Sequence, residues 1–476
     1  MDRGLDRLSP LKKSDLEQIH QKTADILVHT GMSFESEKAR DIFRKHGFKV
    51  DGDIVCYSEQ AIEEAIKKVP KEFKILAKNP KHTMHVTLES MHFHPGGGSP
   101  FVTDHQGVRR NATPADVDDF QKMIQHFDDM ECTRPIVQPS AGIPAQNAYM
   151  YCTYSALKHT DKVMSLFEDG VDMMCIVYGI SKEKIRDDAR KGVHYGLSVI
   201  SVTSPLELTV MQSDRLIEQA GQYGTPLVIA PMPAAGTTAP CTIPGFLIQQ
   251  NCENIGTIVL AQLVNPGNPV FYGVMGSGTD FKIGSAVYGG PETRIMELAG
   301  AQIAKFYGMP CRGNGGLTDA HFSDFQAGAE AALHYYNVAR GGVNLIPGAG
   351  HLGSFLEQSL EQFVLDCEIM GYVKRILRPL EFTEENMAAD LIKKVGPKGQ
   401  YLTEEHTFNH FREEFYDPIV FPRMSYNIWA EQGKKEAREK AHEKVLEILA
   451  NYQRPEMDPA VERDLDKYVA EHWPVK

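Results

Sequence analysis

Apolar positions in the first seventy residues recur with a helical period. Leu16, Ile19, Ile26 and Leu27 share one face, and Ala61, Ile62, Ala65, Ile66 and Val69 form a second stripe that ends at Pro70. The spacing predicts a helical cap over residues 14 to 70. From Phe73 to Arg110 the pattern shortens to alternating runs (FKILAK, HVTLE, PFVTD) broken by Pro95 and the triplet Gly96-Gly97-Gly98, which predicts a small β region. Thr113-Pro-Ala-Asp116 then supplies an N-cap and a first-turn proline for a new helix.

Between Glu131 and Leu352 one theme repeats: a short apolar run, a stop rich in Gly, Pro, Ser or Thr, and a helical stretch. The runs begin near Arg134, Val163, Ser198, Pro226, Pro269, Met309 and Gly342. Their starts fall roughly 28 to 43 residues apart, the length of a strand plus its crossover helix. Near-continuous apolar strands imply burial on both faces, so a closed barrel and an open doubly wound sheet both fit. The barrel is favoured, because no strand leads into a GxGxxG helix and every strand ends in a small-residue loop. The expected architecture is α/β: a TIM (β/α)8 barrel over residues 131–370, a helical and small β N-terminal region over 1–130, and a C-terminal helical extension over 371–476. Seven strands are evident, and the eighth is expected either before Glu131 or just beyond Leu352. The tail predicts an amphipathic helix in KKEAREKAHEKVLEILANYQ and a last one after Asp458-Pro459, which cover the barrel or a second subunit in a homo-oligomer.

Charge and composition narrow the partners. Across 476 residues, 63 acidic against 50 basic side chains give a net charge of −13 with no Lys/Arg stripe, which argues against nucleic acid. No apolar run approaches the roughly 18 residues of a spanning helix, and the charged N-terminus lacks a signal peptide's apolar stretch. No membrane association and a cytoplasmic location are expected. Eight cysteines without a CxxC read as reduced, interior thiols, and neither a disulfide nor a metal site is expected. His92 with His94, and His406 with His410, have spacings that suit metal but lack matching partners.

In a parallel barrel the loops after the strands form the active face. Here these loops hold Ser204, Gly236-Thr237, Gly276-Ser277, Asn314 and the Gly350-His351 pair, small or polar residues that keep a broad opening or simply turn tightly. HExxH, GxSxG, Walker and Cys-His metal patterns are missing from the sequence. His351 is the candidate for holding an anionic group, although a structural histidine fits equally well, and Asn314, similarly placed, is a polar group that fixes orientation. Phe93, Phe101, Tyr272, Tyr288, Phe322 and Phe355 lie near strand ends or in loops that overhang them; core or rim packing is the expectation for most, and two or three that converge would make a box suited to a quaternary ammonium.

Longer motifs add a resemblance. PMPAAGTTAPCTIPG (Pro231 to Gly245), YGGPE, KFYGMPCRGNGG, DFQAGAEAAL and HTFNHFREEFYDPIVFPRMSYNIWAEQG are similar, in order and spacing, to the trimethylamine methyltransferase family over nearly the whole chain. The resemblance implies a TIM barrel that transfers a methyl group from an amine to the cobalt of a corrinoid (cobalamin-type) cofactor carried by a partner protein. The family's founding members carry pyrrolysine. The corresponding stretch here, Thr318 to Asp324, reads TDAHFSD, so the chain resembles the branch without pyrrolysine, whose substrates are quaternary amines such as glycine betaine. On that reading His351, Asn314, Phe355, Phe93, Tyr272 and Phe322 bind the substrate, while Ser204, Gly236, Thr237, Gly276 and Ser277 face the corrinoid. No metal of the chain's own is expected. Two alternatives stand beside it. One is a different barrel enzyme, either a Schiff-base lyase, for which Lys162 precedes its strand, or a zinc-dependent methyltransferase, for which Cys311 has no companion. The other is a barrel that binds an amine or a corrinoid protein without turnover.

Overall fold

The computed structural model describes residues 8–166 and 170–473. Its centre is a six-stranded, all-parallel sheet in which every strand but one belongs to a predicted βα unit. The strands taken in chain order are β1 His92–Pro95, β2 Cys132–Thr133, β3 Val163–Met164, β4 Ser198–Val202, β5 Leu227–Pro231, β6 Val270–Gly273, β7 Cys311–Arg312 and β8 Leu345–Gly348. The order β4-β5-β6-β7-β8-β1 makes the main sheet, and β2 with β3 makes a separate parallel pair. Isolated parallel bridges lie at both edges of that pair, Phe93 with Met130 and Ser165 with Leu197. Backbone hydrogen bonds from Glu131 N to Phe93 O and from Leu166 N to Leu197 O accompany them.

All seven predicted runs are strands, the first starting two residues earlier than its motif. The eighth parallel strand is β1, which pairs with β8 from Leu345–His92 to Gly348–Pro95. A boundary at residue 130 therefore cuts through this set of strands, because the N-terminal region supplies one of them. Strands β1, β5, β6 and β8 are buried at every position, as helices on the outer face require.

The helices are α1 Pro114–His126, α2 Ala148–His159, α3 Gly170–Tyr178, α4 Val210–Glu218, α5 Ile243–Val264, α6 Pro291–Phe306, α7 Phe325–Gly341 and α8 Leu360–Leu377. Helix α1 starts with the predicted cap, a reciprocal Thr113/Asp116 box with proline in the first turn. Helix α5 has little amphipathic character because it is covered on both sides, by strands within and by the helices Lys13–His29 and Glu59–Lys68 without. Its polar residues reach the backbone of the strand end: Asn254 is bonded to both N–H and C=O of Gly273, and Gln250 donates to Met275 O.

The N-terminal cap is not wholly helical. Three helices, Lys13–His29, Glu37–Lys45 and Glu59–Lys68, alternate with the short strands Met32–Phe34, Lys49–Asp51 and Ile54–Cys56. Gly31 shows why: its φ of +78° ends the first helix, and a Cβ there would lie 2.4 Å from Val55 O. Met32–Phe34 then pairs with Ile54–Cys56 and, in parallel, with Glu207–Leu208, joining the cap to the loop after β4. In the tail, α9 Ala437–Ala450 packs on α8 and α1, and α10 Pro459–His472 packs on α2 and α3. No described helix is long and apolar enough to cross a membrane. All eight cysteines are free, but Cys241 is exposed and Cys56 and Cys175 half-buried, so three of the eight depart from the expected interior placement.

Candidate active site at the ends of four adjacent strands

Strands β7, β8, β1 and β2 are spatial neighbours, and each brings a cationic or imidazole side chain to its C-terminal end. Arg312 is the last residue of β7, His351 follows β8, His94 lies within β1, and Arg134 directly follows β2. Arg134 and Arg312 are close enough to affect both imidazoles. Burial, reinforced by Arg134 and Arg312, pushes both His94 and His351 below the ordinary histidine range, His351 to about 3. Burial and the field of Arg134 push Arg312 well below the ordinary arginine range.

Neither guanidinium has a carboxylate partner among the described residues. Arg134 Nε and Nη1 are buried without a hydrogen bond, and Arg312 is only 3% exposed. The carboxylate whose field reaches Arg312 is Glu297, and it is already shared by Arg294 at 3.1 Å and His334 at 2.7 Å. Asn314, two residues beyond Arg312, adds a buried Nδ2 with no acceptor. Unpaired buried cations are costly, and an anion brought between them would offset that cost.

His351 is fully buried, and its ring stacks on Phe355 with centroids 4.6 Å apart. With the Gln358 amide oriented to satisfy its neighbours, the amide oxygen accepts from Nδ1–H at 2.8 Å and the nitrogen donates to Gly350 O at 3.0 Å. The neutral ring therefore has no N–H left at Nε2, and a carboxylate finds no donor there. His351 instead shapes the floor under Phe355. The glycine triplet after β1 gives these side chains their room: a Cβ on Gly96 would lie 1.9 Å from His351 Nε2, and one on Gly97 would lie 2.6 Å from Arg134 Nε.

The loops after β6, β7 and β8 are tied together by one carboxylate. Asp319 accepts from Tyr288 N and Gly289 N, each at 2.9 Å, and from the Ser354 hydroxyl at 2.7 Å. Glu330 holds the same loop through Thr318 Oγ1 and Asp319 N. Ala349, Ser354 and Phe355 all have positive φ, a strain sustained here by the bonds Ala349 N to Tyr335 Oη, Gly350 N to Asp366 and Ser99 Oγ to Phe355 O. The result brings Tyr288 and Phe355 within 6.1 Å of each other beside His351.

The sequence-based candidates divide accordingly. His351, Asn314 and Phe355 gather at this site. Phe93 faces the outer helices, edge-on to Tyr335 and under Lys374, because its neighbours His92 and His94 take the opposite face of β1. Tyr272 also points outward, where its hydroxyl donates to Asn251 on α5. Phe322 lies beneath the Arg438 guanidinium, 4.5 Å from its centroid. Ser204 donates to the buried Glu253 of α5, three residues before the strand Glu207–Leu208 that pairs with the N-terminal region. Gly236, Thr237, Gly276 and Ser277 do come together, through the Ala234–Ser277 bridge. Yet Gly276 is small because Phe246 fills its space, and Gly236 because Phe281 covers it, so packing accounts for these glycines. Arg134, Arg312, His94 and Tyr288 complete the site. The arginines carried a sequence signal, a charge at the edge of a short apolar run, in RPIVQPS and MPCRGNGG.

The chain as a whole matches the model of the family described as trimethylamine methyltransferase, over residues 1–473. It belongs to that family. Among its relatives, a glycine betaine methyltransferase from Desulfitobacterium hafniense (strain Y51) is 34% identical, the alignment covering 99% of this chain and 98% of the relative. A trimethylamine methyltransferase, MttB, from D. hafniense (strain DSM 10664 / DCB-2) is 29% identical over 94% of this chain and 90% of its own. The crystal structure of a hydroxylamine complex of MtmB shares the α/β fold with a TM-score of 0.51 at 14% identity, covering 94% of this chain and 90% of that one. Like its family, the protein is a methyltransferase.

Proposed function

We propose that this methyltransferase takes a methyl group from a betaine, a quaternary amine that bears a carboxylate, and passes it to a corrinoid carried by a separate protein. The observation that carries the reading is the pair of buried guanidiniums, Arg134 and Arg312, neither of which forms an ion pair with a carboxylate among the described residues. Trimethylamine and choline offer them no anion; glycine betaine, which the 34%-identical relative is named for, does. In this reading the arginines and Asn314 Nδ2 hold the carboxylate, and the faces of Tyr288 and Phe355 hold the ammonium, whose charge needs no hydrogen bond.

A quaternary nitrogen leaves as a neutral amine once its methyl is taken, so no general acid is required of the protein. This agrees with His94 and His351 being held neutral by burial. It also agrees with the ordinary residues Thr318 to Asp324 where the founding members have pyrrolysine. The corrinoid supplies the nucleophile, and the chain's residues place the methyl group and exclude water. For the face that receives the corrinoid protein we assign the loop around Gly236 and Thr237 with the adjoining hairpin Gly278–Asp280 and Ser285–Val287, whose tip exposes Phe281 and Ile283. The bridges flanking β2 and β3 support closure of the eight strands into a TIM (β/α)8 barrel with this site at its C-terminal mouth.

Two wider assignments accompany the reading. Leu380, Phe382, Leu402, Phe408 and Phe415 are exposed apolar side chains of the tail, a groove of about 770 Å3 is lined by residues such as Leu333, Tyr336 and Ile376, and a second copy of the chain is the proposed cover for them. Free thiols suit a reducing cytoplasm.

Calorimetric titration tests the carboxylate requirement directly. Glycine betaine is expected to bind wild type and to lose binding in Arg312→Met, with choline weak towards both. Equal affinity for betaine and choline would contradict the reading.

A further inference from the structure

Outside the strand ends, three elements distant in sequence converge on a set of ligating groups. His105 lies in the turn between the strands Phe101–Thr103 and Arg109–Asn111, Glu361 in the first turn of α8, and His442 on α9. We propose that these three residues form a binding site for a divalent transition metal, with zinc the cation their chemistry fits. The donor atoms His105 N, Glu361 O and His442 N all lie within 4.8 Å of one another. The two imidazoles stack with centroids 4.0 Å apart and planes 21° apart. Glu361 is 5% exposed, one oxygen accepting from His442 Nδ1 at 2.8 Å and the other from Ser359 Oγ at 2.9 Å.

Two imidazoles and one carboxylate are a borderline donor set, which suits zinc and disfavours calcium and magnesium, cations that take oxygen ligands. Zinc ligands stand about 2.0–2.2 Å from the ion, so ring rotations that draw the donors in by about 1 Å complete the set. Ser359 is the supporting residue that orients the carboxylate. Both histidines are half-buried, which leaves a fourth position for water. Arg438, one turn before His442, bonds to the His105 carbonyl and fixes the turn that presents the first ligand.

The position gives the ion a task. Phe101–Thr103 pairs with Glu357–Gln358, and Gln358 is the residue that holds His351. A metal here clamps α9 and the His105 turn onto the segment that supports the candidate active site.

Chelator-treated protein titrated with Zn(II) against a chromophoric competitor, and with Co(II) by visible absorbance, tests the site without any turnover. One equivalent is expected to bind, with the intense d–d bands of tetrahedral Co(II) and a rise in Tm. His442→Ala, His105→Gln and Glu361→Gln should each weaken binding by more than about 100-fold, beyond the loss typical of supporting residues. Cys241→Ser should bind as wild type. His105→Gln lies in a surface turn, so it reads the site even if a helix variant misfolds. Absence of stoichiometric binding, or binding that survives His105→Gln and His442→Ala, would overturn the proposal.

Discussion

Arg312 concentrates the physics of the site in one residue. Its guanidinium is buried with no ion pair among the described residues, so the folded protein carries a desolvation cost that a bound carboxylate would offset. Arg312→Met is therefore expected to leave Tm unchanged or raised while kcat/KM for a betaine falls by about 100-fold or more, the loss of a charge-assisted hydrogen bond. A lowered Tm with unchanged kinetics would make the residue structural. Asp366 gives a pH signature. Burial pushes its carboxyl up to about 8, above the value of roughly 4 it has in the unfolded chain. The folded state thus binds more protons between those values, and this group's contribution to stability is full below pH 4 and is lost as pH rises towards 8. Asp366→Asn should keep the bond from Gly350 N, while Gln362, whose Nε2 donates to the other Asp366 oxygen, turns its amide so that the unpartnered Oε1 accepts from the new side-chain amide. Its stability relative to wild type should grow from pH 5 to pH 8 in denaturant titrations, and a constant difference would exclude the mechanism.

Among the elements, the loop Thr318–Ala320 joins the ends of β6, β7 and β8 through Asp319. Asp319→Asn turns one acceptor into a donor facing the Gly289 N–H, a cost of about 1–3 kcal/mol. Equilibrium unfolding should show that loss, and KM for the amine should rise because Tyr288 and Phe355 are no longer held together. Strand positions were legible because burial on both faces leaves continuous apolar runs, and helix α1 because Thr113, Pro114 and Asp116 are a local cap. The short strands of the N-terminal cap were not, since three-residue strands give too little alternation to separate from a helical stripe. For Phe93 and Tyr272, proximity to a strand end said nothing of which face of the strand each takes, and a two-residue period settles that only once the strand is placed.

For the whole molecule, the family motifs made the fold class and the transferred group readable, while the pairing of distant residues was out of reach. His105, Glu361 and His442 share no local spacing, and Arg134 meets Arg312 only because β2 and β7 converge on one end of the strands. The exposed apolar tail predicts self-association: light scattering should give a multiple of the chain mass, and Phe382→Asp with Phe408→Asp should shift it towards the single chain. A monomeric wild type would leave that surface to another partner. The central claim, that buried arginines select a carboxylate-bearing quaternary amine, is tested most directly by anaerobic methyl transfer to free cob(I)alamin from glycine betaine, choline and trimethylamine, followed by absorbance. Transfer from glycine betaine with little from the other two is predicted. Transfer from choline or trimethylamine at a matching rate would contradict the account.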